Sequence, residues 1–402
     1  METLTPELET PLLDLTPVAG LVTEQHRAAP CACVAAALRD GGSFRYGLGA
    51  AGRLWLDATP PAGAGLAPRA TPSTIFDLAS VTKPLTALAL ARLERAGALR
   101  RSEPLGDVLP ELAATRSARV PLDLLAAHRA GLDGHRPLYA PLLEGRRPDL
   151  AASLAIAADA RRGGCDGDPP PEGFPPVYSD LGYLLLGAAL ARRAGADLDE
   201  VVAREVTRPL ALWDAEGSPA APSIASARMH RRRDPGFDPR VAPTERVAFR
   251  GGVVCAAVHD ENAWALAGDA SAGHAGLFGD ALAVAQLGVA VLEALAGERP
   301  AWLTPDDLDP LVRPRAGGSL LAGFDRKSGP TPSAGARFGA RTFGHLGFTG
   351  TSLWIDPEAQ LVGVLLTNRV HPTRDAPEGI RRARPAAYDA IAAAMLDAGK
   401  PR

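Results

Sequence analysis

Residues 77–84 read DLASVTKP, and this stretch decides how the rest of the chain is interpreted. Pro84 has no backbone N–H to donate, so it is tolerated only in the first turn of a helix. A helix must therefore begin close to Ser80, and the apolar spacing that follows predicts it over 80–97. Lys83 then lies nearly one turn beyond Ser80, where its amine can reach the serine hydroxyl.

The Ser80–Lys83 pair has a catalytic and a structural interpretation. A serine hydroxyl is a poor nucleophile until a neighbouring base removes its proton, and a lysine of lowered pKa can be that base. The Ser80 amide, at the positive end of the helix dipole, is suited to stabilise an oxyanion. The alternative is a serine that caps the helix, followed by a solvated lysine. The short motif alone does not separate the two.

Composition bears on this choice. Of 43 basic residues in the 402-residue chain only three are lysine, and arginine cannot replace an amine that must lose its proton. The formal net charge of −3 argues against a dedicated nucleic-acid binder. No segment has the ~18–20 apolar residues of a membrane span. Residues 1–30 show no secretory signal, so we expect a cytoplasmic protein with neither a nucleic-acid nor a membrane partner.

The apolar patterns predict a strand hairpin, a helical middle, a strand meander and a closing helix. The predicted strands are the hairpin 32–49, which turns at 40–42, then Phe343–Gly350, Ser352–Asp356 and Leu361–Asn368. The other predicted helices are 181–193, 197–208, 281–297 and Pro385–Leu396, the last with its proline in the first turn. Residues 213–250 show little periodicity and are predicted to be a long irregular excursion.

This order predicts an α+β fold. One antiparallel sheet would be assembled from both chain ends and flanked by helices, with a mainly helical domain inserted between them. We expect a single unit over 1–402. Its sheet-containing part would span about 20–75 and 280–402, and its inserted helical part about 76–279.

Two further segments carry candidate site residues. Tyr178 and Asp180 stand at the mouth of a predicted helix, where a tyrosine can exchange protons with a nucleophile if a cationic lysine lowers its pKa. Asp180 could instead simply cap that helix. Residues 344–350 read GHLGFTG, and glycines in a strand often mark close approach of a ligand. His345 could equally be a polar residue at a strand end.

A metal site is a separate possibility. His259, Asp260, Glu261 and His274 are residues of metal-ligand type, but their spacing matches no known helix motif such as H-E-x-x-H. The alternative is a hydrogen-bonded loop that braces a cleft. We expect no metal and no other cofactor.

Together these segments resemble a known family. S-x-x-K at 80–83, Y-x-D at 178–180 and H-x-G at 345–347 are similar to the ordered motifs S-x-x-K, Y-x-N and K-T-G or H-T-G of the penicillin-recognising serine hydrolases. The resemblance is to the class C β-lactamase-related branch, with its esterases and D-alanyl-D-alanine carboxypeptidase-like proteins. It covers roughly 20–396, and includes LLAAHRAGL at 124–132.

The resemblance implies an active site in a cleft between the sheet and the helical domain. Ser80 would attack a carbonyl to form an acyl-enzyme, and Lys83 and Tyr178 would share general-base and general-acid work. The backbone amides of Ser80 and Phe348 would form the oxyanion hole. The implied substrate is a small molecule or short peptide that carries an ester, amide or peptide bond.

The residues expected to bind substrate are Asp180, His345, Gly347 and Arg374, and here the chain departs from the family. Aspartate in place of asparagine would raise the pKa of Lys83. Leu346 lacks the family hydroxyl, and a histidine is largely neutral at pH 7. A lost hydrogen bond to a charged group is worth ~1.5–3 kcal/mol, so we expect weak activity on β-lactams. Arg374, with Arg369, could supply a replacement cation or could be a solvated surface residue.

Three hypotheses follow. The first is a serine hydrolase that acts through an acyl-enzyme. The second is a catalytically silent homologue that binds a ligand or partner in the same cleft, motivated by Asp180 and Leu346. The third is a metal-dependent hydrolase.

Overall fold

A computed structural model of the chain describes residues 12–56, 68–218 and 220–398. Its strands are β1 Leu13–Asp14, β2 Cys31–Asp40, β3 Ser43–Gly52, β4 Phe76–Asp77, β5 Ile224–Ser226, β6 Arg246–Val247, β7 Gly252–Val253, β8 Leu277–Gly279, β9 Asp325–Arg326, β10 Phe343–Leu346, β11 Ser352–Asp356 and β12 Leu361–Thr367.

The α-helices lie mainly between the two groups of sheet strands. They are α1 Thr16–Gly20, α2 Thr82–Arg95, α3 Leu105–Val108, α4 Leu122–Ala126, α5 Ala140–Leu143, α6 Leu150–Asp159, α7 Asp180–Ala194, α8 Leu198–Val202, α9 Ala227–Arg233, α10 Glu261–Ala267, α11 Ala281–Leu295, α12 Pro305–Val312 and α13 Glu378–Asp397. No helix within the described residues is long and apolar enough to cross a membrane.

The main sheet joins both ends of the chain, as predicted. Its strand order is β1-β3-β2-β12-β11-β10-β9. The predicted hairpin is confirmed, with Asp40 paired to Ser43 across its turn. Strand β12 pairs antiparallel with β2, from Leu361↔Leu38 to Thr367↔Ala32. The short β1 pairs parallel with β3, so the sheet is not wholly antiparallel.

Both faces of this sheet are buried, which explains why β2 is apolar along most of its length. Cys33 and Ala35 belong to one core, on the side of α11, whereas Val34 and Ala36 belong to a second core beneath α1 and α13. This alternation is the two-residue period of a strand. The division into a sheet-containing part and an inserted helical part stays a prediction.

Several predicted segments are wrong in detail. Helix α13 begins at Glu378, so Pro385 lies inside the helix and not in its first turn. The loss of one backbone hydrogen bond there is offset by an apolar face that buries residues on both sides of the proline, including Ile380 and Tyr388. The segment 213–250 is not uniformly irregular, because it contains β5 and α9. Elements this short show no detectable period.

A small second sheet and one turn position the site. Strand β8 lies between β4 and β5, and β4 leads directly to Ser80. Strand β10 ends at Leu346, so the predicted strand over Phe343–Gly350 is too long. A turn follows, closed by a 2.7 Å hydrogen bond from the Gly347 amide to the Thr351 carbonyl. We call residues 347–351 the oxyanion turn, because this turn contains Phe348, whose backbone amide is predicted to donate to an oxyanion.

Candidate active site

Ser80 lies in a 3-10 turn, Ala79–Val81, between β4 and α2. Ala79 has a φ of 47°, a left-handed conformation that is uncommon for residues other than glycine. Its amide donates to the Asp77 carboxylate at 2.8 Å, and that carboxylate also accepts the His259 amide at 2.7 Å. The strained turn is thereby fixed to the opposite loop, which holds the Ser80 hydroxyl at the base of a cleft.

Lys83 is completely buried beneath Ser80. Its Nζ donates to the Ser80 Oγ at 3.1 Å, to the Asp180 Oδ1 at 2.7 Å and to the His274 carbonyl at 3.1 Å. These acceptors satisfy all three donors of an ammonium group. Ser80 does not cap α2, whose N-cap is Val81 with no side-chain bond. The interpretation of a capping serine and a solvated lysine is therefore wrong.

The pKa values of the pair describe its resting state. Burial acts to lower the pKa of Lys83, but the charge of Asp180 and its hydrogen bond to the ammonium bring that pKa above the ordinary value. Burial raises the pKa of Tyr178, although Lys83 acts to lower it. The resting site therefore holds an ammonium and a neutral phenol, and a base forms only when this pair loses a proton.

Helix α7 brings Asp180 to the lysine. Its N-cap is Ser179, whose Oγ accepts the Gly182 amide at 3.3 Å, so the interpretation of Asp180 as the cap is wrong. Asp180 is the first helical residue, and its carboxylate contacts Lys83 Nζ. Tyr178 lies just before the cap, with its ring centroid 4.8 Å from the same Nζ.

His128 is a site residue that sequence reasoning did not single out. Its Nδ1 accepts the Ser179 amide at 3.0 Å, and its ring stacks on Tyr178 with centroids 4.7 Å apart. Burial, together with the charge of Lys83, lowers its pKa well below the ordinary value, so the ring is neutral. The contacts position Tyr178. The only sign in the sequence was its place in the segment 124–132.

The candidate oxyanion donors lie on two segments that are bonded to each other. In the oxyanion turn, Thr349 Oγ1 donates to the Asp77 carbonyl at 2.8 Å, and Thr351 Oγ1 donates to the Leu78 carbonyl at 2.9 Å. Within residues 12–56, 68–218 and 220–398, neither the Ser80 amide nor the Phe348 amide has a hydrogen-bond partner. Both amides are thus available to a ligand.

The cleft above Ser80 has a volume of about 680 Å³. Ser80, Tyr178 and Asp180 lie at its base. Its walls include His135, Tyr139, His259, Asp260, Glu261, Leu346, Gly347, Phe348, Arg369, Arg374, Pro377, Ile380, Arg381 and Arg384. A concave site with a few polar groups at its base is typical of a small-molecule site.

His345 is buried outside the cleft lining, with 4% exposure. Its Nδ1 donates to the Leu346 carbonyl at 2.8 Å, and burial and the charge of Lys83 lower its pKa to about 3. It is neutral and lies outside the cleft lining, which argues against its predicted contact with substrate. Gly347 does line the cleft, but a Cβ there would lie 1.9 Å from Thr351 Oγ1. Packing of the oxyanion turn therefore requires this glycine.

Arg374 lines the cleft, but its charge is already balanced. Its guanidinium pairs with Glu245 and Glu261, each at 2.5 Å, and lies 5.4 Å from the Phe348 ring centroid. It is therefore not simply solvated. The two carboxylates also weaken the prediction that it replaces the family lysine.

The residues of metal-ligand type form separate pairs. His259 Nε2 is 3.0 Å from Glu245, and His274 Nε2 is 2.9 Å from Asp260. Among the described residues, no group of three or more His, Cys, Asp or Glu side chains is placed to hold a metal ion. The arrangement fits the brace interpretation, since the pairs tie together the loops of one cleft wall.

Asp180→Asn is expected to make the enzyme active at lower pH. After burial, the charge of Asp180 is the largest influence on the pKa of Lys83, and it raises that pKa. Asparagine removes the charge but keeps an acceptor, so the pKa of Lys83 falls. With the Lys83–Tyr178 pair as the predicted general base, the rising limb of the kcat/KM profile should move to lower pH.

Steady-state rates on a p-nitrophenyl ester across a pH series measure this shift. The control is Asp133→Asn, because the Asp133 carboxylate pairs with Arg136 and not with Lys83. A limb that stays in place in Asp180→Asn, or moves equally in both variants, contradicts the prediction.

Comparison with known proteins bears on this site. A profile of the Beta-lactamase family matches residues 19–388. An N-acetylmuramyl-L-alanine amidase of Bacillus subtilis (strain 168) is 29% identical over 327 residues, which are 74% of this chain and 68% of the relative. A protein of Salmonella agona (strain SL483) named "Putative D-alanyl-D-alanine carboxypeptidase" is 29% identical over 204 residues, which are 48% of this chain and 45% of that relative.

The fold has solved counterparts. The structure of EstCE1, described as a hydrolase with promiscuous acyltransferase activity, superposes with a TM-score of 0.63 at 21% identity, over 92% of this chain and 97% of that chain. At this identity the likeness shows the fold alone. Since the family profile spans nearly the whole chain, the protein belongs to the β-lactamase family.

Proposed function

We propose that the protein is a serine hydrolase that acts through an acyl-enzyme on Ser80. The observation that carries this is the completely buried Lys83 with its Nζ 3.1 Å from the Ser80 Oγ. A buried lysine at hydrogen-bond distance from a serine in a cleft is the arrangement that nucleophilic catalysis requires. The relatives named as an amidase and a carboxypeptidase support acyl chemistry of this kind.

The proposed reaction starts from the deprotonated form of the Lys83–Tyr178 pair. The Ser80 Oγ attacks the substrate carbonyl carbon while its proton passes to this pair. The resulting oxyanion accepts hydrogen bonds from the Ser80 and Phe348 amides. When the intermediate collapses, the pair returns the proton to the departing alkoxide or amine, and the acyl group stays on Ser80. Water then attacks the ester on Ser80 and gives a proton to the pair. The bond between the acyl carbon and the Ser80 Oγ breaks, the pair returns the proton to Ser80, and the acid product leaves.

The proposed substrates are neutral esters or amides of small molecules or short peptides. A neutral, buried His345 and the apolar Leu346 replace the groups that would hold a β-lactam carboxylate. We therefore expect weak turnover of β-lactams.

A fluorophosphonate probe followed by intact-protein and peptide mass spectrometry tests the proposal. One probe adduct is expected per chain, on the peptide that contains Ser80, and prior incubation with a reactive ester should slow labelling. Labelling of another residue, or of none while ester turnover persists, would contradict a Ser80 acyl-enzyme.

One observation favours the silent homologue as a second candidate. Lys83 has three acceptors and a raised pKa, so the base form is a minor species at neutral pH. A silent protein would show no turnover of esters, amides or β-lactams at any pH, yet would gain thermal stability with a ligand of the cleft. Ester turnover by the protein that increases with pH would instead identify it as an active hydrolase.

A further inference from the structure

The oxyanion turn is held from behind by a buried arginine of α13. Arg384 Nη2 donates to the carbonyl oxygens of Gly347, at 2.9 Å, and Thr351, at 3.0 Å. The side chain is 9% exposed and has no carboxylate within ion-pair distance in the described part of the chain. Burial lowers the pKa of Arg384 only to about 10, so it keeps its charge at neutral pH.

The Gly347 carbonyl and the Phe348 N–H belong to the same peptide unit. This unit is trans, since the cis bond in the described residues is that between His371 and Pro372. In a trans peptide the C=O and N–H bonds lie in one rigid plane and point in opposite directions. A donor that fixes the Gly347 carbonyl therefore fixes the direction of the Phe348 N–H.

The positive charge of Arg384 has a second effect on this peptide, besides fixing its direction. A guanidinium bound to a carbonyl makes a charge-assisted hydrogen bond and polarises the peptide, so the N–H on its far side becomes a stronger donor. The turn does not depend on Arg384 alone. The Gly350 amide donates to the Gly347 carbonyl at 3.1 Å, and the Gly347 amide donates to the Thr351 carbonyl at 2.7 Å. Without Arg384, both carbonyls would still have a partner.

We propose that Arg384 is a positioning residue of the oxyanion hole, which aims and polarises the Phe348 amide through the Gly347 carbonyl. The inference rests on the proposed function, in which this amide stabilises the tetrahedral intermediate. Arg384 acts on a group that is used most strongly in the transition state. Its removal therefore lowers kcat and leaves KM nearly unchanged.

The test compares Arg384→Met and Arg384→Lys with Arg382→Met. Arg382 is an exposed arginine of the same helix and lies outside the cleft lining. The substrates are p-nitrophenyl acetate, which is neutral, and p-nitrophenyl hemisuccinate, which carries a carboxylate. In Arg384→Met we expect kcat to fall roughly 10–100-fold on both esters, part of the ~10²–10³ attributed to one oxyanion donor. Arg384→Lys should lose less, and Arg382→Met should be unchanged.

A loss confined to the anionic ester, or one that appears mainly in KM, would mean that Arg384 binds substrate and would overturn the inference. An unchanged kcat would overturn it as well. If Arg384→Met is unstable, Arg384→Ala with added guanidinium chloride decides: restored kcat supports positioning, and failure to restore it contradicts the inference.

Phosphonate labelling separates the two proposals. An unlabelled Ser80 in the unmodified protein counts against the proposed function, whereas slower labelling in Arg384→Met alone supports the role of Arg384.

Discussion

Ser80→Ala is expected to lower kcat/KM on a p-nitrophenyl ester by roughly 10³-fold or more, because alanine has no hydroxyl to form the proposed acyl-enzyme. The fold should survive the change. The Ser80 side chain does not cap α2, and Lys83 keeps its bonds to Asp180 and the His274 carbonyl when the hydroxyl is lost. The loss in unfolding free energy should stay near the ~1 kcal/mol of one hydrogen bond.

Initial rates and thermal unfolding of the same preparation check both parts. Ser73→Ala is the matched control, because Ser73 is an exposed serine of the same segment and lies outside the cleft lining. Full activity in Ser80→Ala would refute the acyl-enzyme, whatever the status of Lys83. A loss of activity together with a large fall in thermal stability would instead mean that the serine is structural.

Lys83→Arg is expected to lower the acylation rate by roughly 10²–10⁴-fold, the range of a general base, since arginine cannot be deprotonated in a protein. From the sequence alone, this variant should preserve both charge and fold. The structure changes the expectation that the fold is preserved. Lys83 is completely buried, with the rings of Tyr178 and Tyr183 centred 4.8 and 5.5 Å from its Nζ. A bulkier guanidinium overpacks this space, at a cost of about 1–3 kcal/mol.

Burst kinetics of ester cleavage and denaturant unfolding measure these two effects. Lys327→Arg is the control. Lys327 donates to the carbonyls of Ala336 and Phe338 and lies outside the cleft lining, so its replacement should leave the rate unchanged. If Lys83→Arg acylates at nearly the normal rate, Lys83 is not the base, even if Ser80 is the nucleophile.

Much of the fold could be predicted because its signals are local. Pro84 marked the start of α2, and the glycines after Asp40 marked the hairpin turn. Apolar runs in the tail predict β11 and β12. The wrong predictions have local causes as well. Pro385 predicts a helix start, but the apolar face of α13 outweighs one lost hydrogen bond, and β5 is too short to show a period.

In the candidate site, a shift of one residue in the start of helix α7 changes the role of Asp180. The sequence allowed Asp180 to be the cap of α7, but Ser179 takes that position. The shift turns the Asp180 carboxylate toward Lys83. His128 and Arg384 could not be identified in advance, because each acts through a backbone group of another segment.

By itself, the sequence determined which residue types could do the proposed chemistry, since the order of S-x-x-K, Y-x-D and H-x-G predicts Ser80, Lys83 and Tyr178 as the catalytic residues. Only the tertiary structure decided the protonation state of Lys83. Its charged form is held by Asp180 and the His274 carbonyl, which are 97 and 191 residues away along the chain. A pKa depends on burial and on neighbours in space, and neither can be read from the spacing of a motif.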